Sequence, residues 1–279
     1  MSFNFTKWHG LGNDFVIVDL FKESISDCNN LAIKVCDRNF GIGADGLVLV
    51  GPSTIADFKM QIFNSDGSEA EMCGNVTRCV ARYVYENNLT AKTKFKIETK
   101  AGIITPEVII EDNVITLIKV DMGEPILKSE QIPVALQGYD KIVSYPLMIL
   151  EEKYEITCVS MGNPHCVIFV DDLDKVNLTQ VGPIIETHNL FPKKINVEFA
   201  QVINDEYIKM RVWERGAGVT LACGTGSCAT LVAAVLTGKT NKKALVELDG
   251  GNLNIEWAEN NHIYMSGPAQ LVFKGVYLA

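Results

Sequence analysis

Cys73 and Cys223 sit in matching surroundings 150 positions apart. The first closes the stretch M-Q-I-F-N-S-D-G-S-E-A-E-M-C-G-N (60–75), the second M-R-V-W-E-R-G-A-G-V-T-L-A-C-G-T (210–225). At that offset Met60 falls on Met210, Ile62 on Val212, Phe63 on Trp213 and Gly74 on Gly224. A thiol is a competent general base as thiolate and a competent acid when protonated. A base on one face of a carbon and an acid on the other is the minimum apparatus for inverting a stereocentre. That chemistry needs each sulfur beside groups that favour an anion, and the flanking sequence offers them. Each Cys-Gly opens a run with helical apolar spacing: Val76, Cys79, Val80, Tyr83 and Val84 in one copy, Cys228, Leu231, Val232 and Val235 in the other. Both cysteines are therefore expected where a strand gives way to a helix N-terminus, whose N–H groups and dipole lower a thiol pKa. Two thiolates facing one carbon repel, so the pair is expected to hold one proton and titrate as a unit. The same N–H groups can hold a carboxylate and absorb charge as the adjacent carbon loses its proton.

A second repeat supports duplication. Gly12-Asn13 before the apolar run 15–18 recurs as Gly162-Asn163 before 166–170, and weaker echoes pair Ile97-Glu98 and Gly102 with Val246-Glu247 and Gly251. The reading is an α+β chain of two homologous domains related by a pseudo-twofold axis, each an antiparallel sheet wrapped around a central helix. Their equivalent loops are expected to line a cleft. The domains are placed at 1–130, carrying Cys73, and 131–279, carrying Cys223, with the return of the last strand to the first domain left open. Short β-branched or aromatic runs predict strands at 15–19, 47–50, 58–63, 94–98 and 103–110. Further strands are predicted at 156–159, 166–170, 197–202, 207–213, 245–248, 253–257, 262–265 and 270–273. Helical pattern falls at 31–38, 76–87, 178–188 and 227–236, the last with Gly238 as C-cap. Asp112-Asn113 and Asn260-Asn261 read as hairpin turns.

The bulk properties exclude several functions. The 279 residues are 47% hydrophobic and 21% charged, a globular composition, and the net charge of -9 disfavours nucleic-acid and anionic-membrane partners. Without a signal-peptide or membrane-spanning pattern, the expected location is cytoplasmic. The eight cysteines form no C-x-x-C pair and no Cys/His cluster at zinc spacing, so neither a disulfide framework nor a metal site is expected. Cys79 and Cys228, inside the helical runs, read as core.

The runs W-H-G-L-G-N-D-F (8–15), G-I-G-A-D-G (41–46), N-S-D-G-S-E (64–69), C-G-N-V-T-R-C (73–79), M-G-N-P-H (161–165) and W-E-R-G-A-G-V-T-L-A-C-G-T-G-S-C-A (213–229) together resemble the diaminopimelate epimerase family. The resemblance covers nearly the whole chain in order. It implies cofactor-independent interconversion of LL- and meso-2,6-diaminopimelate, in lysine and peptidoglycan synthesis, and a homodimer as in many members. It makes Cys73 and Cys223 the two bases. Gly74, Asn75, Gly224 and Thr225 become donors to the reacting carboxylate. Asn13, Asn64, Asn163, Asn196, Glu214 and Arg215 become ligands of the ammonium and carboxylate groups, with His165 and Glu214 setting thiol protonation. Gly46 stands where many members carry Gln, Val76 where Gly is common and Val219 where Glu is common; the first and last leave room for altered specificity. A related racemase for another amino acid such as histidine, a non-catalytic binding module, and a pyridoxal-phosphate racemase are the competing readings. If both sulfurs approach one small carbon, mild oxidation is expected to join them in a reversible disulfide.

Overall fold

The computed structural model describes residues 2–278. The chain divides into two units, one of residues up to Asp121 together with those from Ser266 onward, the other Met122–Met265. The boundary thus falls after Asp121 rather than at 130/131, and the last strand belongs with the first unit.

The first unit contains β1 (Ser2–Gly10), β2 (Asn13–Asp19), α1 (Cys28–Cys36), β3 (Gly46–Gly51), β4 (Phe58–Asn64), β5 (Glu69–Ala70) and α2 (Gly74–Glu86). It continues with β6 (Ile97–Thr99), β7 (Gly102–Ile104) and the hairpin β8 (Glu107–Glu111) and β9 (Val114–Asp121). The second unit contains β10 (Tyr145–Ile149), β11 (Glu152–Ser160), β12 (Pro164–Phe169), α3 (Leu178–Glu186), β13 (Asn196–Asn204), β14 (Tyr207–Glu214), β15 (Gly218–Thr220) and α4 (Gly224–Leu236). β16 (Lys243–Leu248), β17 (Gly251–Trp257) and β18 (Ile263–Gly267) follow. The final strand, β19 (Gln270–Leu278), pairs antiparallel with β1.

The first sheet runs β19-β1-β2-β3-β4-β6-β7, with β5 on β4; the second unit's strands run β10-β11-β12-β13-β14-β16-β17-β18, with β15 on β14. The register repeats as the sequence does. Phe15 opposes Gly46 as His165 opposes Asn196, and Leu47 opposes Phe63 as Val197 opposes Trp213. The sheets are mixed, a correction to the antiparallel expectation: β2·β3, β4·β6, β12·β13 and β14·β16 are parallel pairs. Each is joined through one α-helix: α1, α2, α3 and α4 in turn. A parallel pair needs such a crossover, whereas a hairpin can join only antiparallel strands.

The two helices that open at the cysteines are the cores of their units. α2 buries Val76, Cys79, Val80, Ala81, Tyr83 and Val84. α4 buries residues on every side, including Cys228, Leu231 and Val232, as a helix apolar all round must. Its C-terminus closes at Gly238, which takes φ 68° and donates its N–H to Val235 O. Arg78 and Arg82 of α2 donate to the carbonyls of Pro268 and Ala269 and so fasten the returning segment just before β19. The hairpin at Asp112-Asn113 has positive φ at both residues, as a two-residue turn of that hand demands. One expectation fails locally, and one strand lies where none was predicted. The run 103–110 is two strands, β7 and β8, broken at Thr105-Pro106 because proline cannot donate to a ladder. β1, where Lys7 and His9 interrupt the apolar pattern, is a nine-residue strand.

Candidate active site

Cys73 is the N-cap of α2, with extended backbone (φ -147°, ψ 121°), and is half-buried. Its carbonyl accepts from the Thr77 N–H at 2.9 Å and the Thr77 hydroxyl at 3.0 Å, which fixes the cap while leaving the thiol at the positive end of the helix. Asn13, at the start of β2, brings its Oδ1 to 4.0 Å from the sulfur and accepts there from Asn75 Nδ2 at 3.0 Å. The other end of the Asn13 amide donates to Asp45 Oδ2 at 2.6 Å. Asp45 in turn meets Arg38, which also binds Asp14; Lys7, buried beneath, pairs with Asp14 at 2.6 Å and donates to the Gly43 carbonyl. The motif at 41–46 therefore acts as the anchor of Asn13. Asn64 closes its own turn, its N–H on Ser68 O at 2.8 Å and its amide on Ser68 Oγ at 3.0 Å.

Cys223 repeats the arrangement as N-cap of α4 (φ -128°, ψ 107°). Ser227, the counterpart of Thr77, donates both its N–H (3.0 Å) and its hydroxyl (2.9 Å) to the Cys223 carbonyl. Thr225 Oγ1 lies 3.6 Å from the sulfur. The helix terminus was expected to lower this thiol's pKa, and it does not prevail. Burial first, then the negative charges of Glu214 and Glu198, push the Cys223 thiol well up against the contacts from Thr225 and the Gly226 N–H.

Behind Cys223 lies a polar chain inside β12 and β13. His165 and Glu198 are both fully buried. His165 Nδ1 lies 2.6 Å from Glu198 Oε1, and Nε2 lies 3.0 Å from Asn163 Oδ1. Burial pushes the Glu198 carboxyl up, while His165 pulls it back. Glu198 is the site residue that sequence reasoning missed. Its one signal was a charge inside the otherwise apolar run 197–200.

The turn after β14 places the last candidates. Asn196 is buried with both amide ends engaged, donating to Pro164 O at 2.8 Å and accepting the Arg215 N–H at 2.9 Å. Arg215 sends its guanidinium to Lys193 O at 3.1 Å, and Glu214 accepts from the Thr220 hydroxyl. Buried Glu186 accepts from Trp213 Nε1 at 2.7 Å and from the Gly216 N–H at 3.1 Å, which pins the same turn from below. The first unit therefore gathers Asn13, Cys73, Gly74 and Asn75, with Asn64 on its own turn. The second gathers Asn163, His165, Glu214, Cys223, Gly224 and Thr225, with Asn196 supporting Arg215. No group of three or more acidic, His or Cys side chains suited to a metal ion occurs among the described residues.

The α+β repeat is the fold of the racemase-like epimerases, and in this chain a cysteine caps the central helix of each unit. A hydroxyproline epimerase from Agrobacterium vitis superimposes with a TM-score of 0.69 at 12% identity, over 99% of this chain and 92% of that one. A phenazine biosynthesis protein of the PhzF family from Bacillus anthracis gives 0.73 at 20% identity over the whole of both chains. In sequence, the family model for diaminopimelate epimerase matches residues 5–128 and 157–272. A diaminopimelate epimerase from Pelotomaculum thermopropionicum is 56% identical over 277 residues, 98% of each chain. The chain belongs to the diaminopimelate epimerase family and is an isomerase.

Proposed function

We propose that this isomerase interconverts LL- and meso-2,6-diaminopimelate, within lysine and peptidoglycan synthesis, through a two-base reaction of Cys73 and Cys223. The observation that carries the mechanism is the repeat of one device: a cysteine N-cap with a hydroxyl-clamped carbonyl on the central helix of each unit. One thiolate takes the α-hydrogen as a proton and becomes a thiol. The electron pair left on carbon delocalises into the carboxylate, whose oxygens the N–H groups at 74–75 and 224–225 stabilise. The other thiol delivers its proton to the opposite face and becomes the thiolate, so protons balance and the configuration inverts. Burial and the charges of Glu214 and Glu198 favour the thiol form at Cys223, which supports that cysteine as the proton donor to one face. Asn64 and Arg215, with Asn196 holding the Arg215 backbone, bind the distal carboxylate and ammonium, for which a planar guanidinium is the fitting donor.

The acidic, globular composition supports a cytoplasmic enzyme. The exposed apolar side chains of Val272, Phe273 and Val276 on β19 support a homodimer. Incubation with LL-diaminopimelate and a panel of L-amino acids in deuterated water tests the substrate. Exchange at the α-position of diaminopimelate alone is expected, and exchange confined to another amino acid overturns the assignment. Cys73→Ala and Cys223→Ala are each expected to abolish turnover in a folded protein; retained epimerisation in either removes the two-thiol scheme.

A further inference from the structure

Glu198 has no counterpart in the first unit. The two sheets share one register, in which Val167 opposes Glu198 as Ile17 opposes Val48. The first sheet is apolar at both places, while the second carries a fully buried carboxylate. Nor does His165 have one, since Phe15 stands at its equivalent. The repeat has therefore diverged by placing an acid–imidazole pair where its twin has valine and phenylalanine. A buried carboxylate is costly, and replacing such a pair with apolar side chains is often neutral or stabilising. Stability alone thus gives no reason for the divergence. The geometry points to orientation instead. At 2.6 Å, Glu198 Oε1 and His165 Nδ1 share a short hydrogen bond between two fully buried groups. This leaves the ring plane fixed and Nε2 aimed at the Asn163 amide, 3.0 Å away. Asn163 is the repeat partner of Asn13, which in the first unit is anchored by Asp45 at 2.6 Å. Each unit so fastens its Gly-Asn amide to a carboxylate, directly through Asp45 in the first and through an intervening imidazole in the second.

We propose that Glu198 is a positioning residue for the epimerisation, holding a proton on Nδ1 of His165 and thereby fixing the ring and the Asn163 amide that its other nitrogen meets. The inference rests on the function proposed above only for its kinetic consequence. A histidine tautomer fixed by a second, hydrogen-bonded group is a common means of orienting a functional imidazole. Here the second group is an acid with one further carboxylate, Glu214, and one thiol, Cys223, near it.

The test uses Glu198→Val, which installs the residue found at the equivalent place in the first sheet, and Glu198→Gln, which keeps an acceptor but removes the charge. Histidine-selective ¹⁵N labelling reads the ring directly, since the chain has four histidines. In the unmodified protein at neutral pH, His165 is expected to show a protonated Nδ1. Glu198→Val is expected to lose it, and Glu198→Gln to retain it. In the deuterium-exchange assay Glu198→Val is expected to lower kcat at least ~10-fold with KM changed less than about 3-fold, because a misplaced group slows chemistry more than binding. An unprotonated Nδ1 in the unmodified protein, or His165 signals unchanged by Glu198→Val, overturns the proposal. So does wild-type kcat in Glu198→Val. If Glu198→Val does not fold, loss of the Nδ1 proton in Glu198→Gln with unchanged kcat overturns it equally. The ¹⁵N signals need no substrate, so they judge Glu198 even where diaminopimelate proves not to be the substrate.

Discussion

Asp45 fixes the orientation of Asn13: its Oδ2 takes the Asn13 Nδ2 proton at 2.6 Å, and the same oxygen takes the Asp14 N–H at 2.9 Å. With its Nδ2 held on Asp45, Asn13 turns Oδ1 toward Cys73 and Asn75. Asp45→Ala frees the amide to rotate. The expected result is a rise in KM of ~5–20-fold, the ~1–2 kcal/mol of a lost charge-assisted hydrogen bond. Steady-state kinetics checks this, and Asp45→Asn is expected to recover part of the loss.

Much of this half of the site was legible in the chain and some of it was not, for a physical reason. Cys73, Cys223 and the two Gly-Asn pairs were legible because duplication printed each twice at one spacing. The helices that open at the cysteines declared themselves through apolar spacing, which depends only on neighbours within two turns. Glu198 was not legible, because its meaning lies in His165, 33 residues away on an adjacent strand. The parallel pairs escaped for the same reason, since a strand's pattern does not name its partner. β1 escaped because Lys7 looks like a solvent residue until Asp14 and the Gly43 carbonyl are seen to receive its ammonium in the core.

Asp14 gives a pH signature. Burial pushes its carboxyl up, but hydrogen bonds from Arg38 and Lys7 and the charge of Lys7 outweigh it and hold the group at about 2, below 3.8. A folded-state pKa below the unfolded one contributes stability that is present above ~4 and lost as pH falls toward ~2. Arg38 is well exposed, so the contribution is discounted for solvent screening to on the order of 1 kcal/mol. Urea unfolding of the native chain is expected to show this loss between pH 4 and 2. Asp14→Asn is expected to flatten that part of the curve while lowering stability at pH 7.

Cys223 should react slowly with iodoacetamide at neutral pH, because burial and then Glu214 and Glu198 raise its pKa. Removing one negative charge lowers that pKa and enlarges the thiolate fraction at a given pH. Glu214→Gln is therefore expected to speed alkylation of Cys223 about 3–10-fold at pH 8–9, because the thiolate is the reacting form. Peptide mass spectrometry after timed alkylation reads it, and an unchanged rate would show that Glu214 does not act on this thiol.

Gly226 tests how tightly the second cysteine and Glu198 are packed together. A Cβ at that position would fall 2.7 Å from Glu198 Oε1 and 3.2 Å from Cys223 Sγ. In an exposed helix, Gly→Ala would stabilise by about 1 kcal/mol through propensity. Here neither neighbour can yield freely: Glu198 is tied to His165 at 2.6 Å, and the Cys223 carbonyl is clamped by both donors of Ser227. The overpacking cost of ~1–3 kcal/mol is therefore expected to win, so that Gly226→Ala lowers stability and cuts kcat at least ~10-fold. A double-mutant cycle with Glu198→Val separates the two contacts, since valine removes the oxygen that the new methyl would strike. If the carboxylate is the obstacle, Gly226→Ala costs less in the Glu198→Val background than alone. Equal costs in the two backgrounds would place the obstacle at Cys223, and a stabilising Gly226→Ala would mean that the helix N-terminus has room to spare.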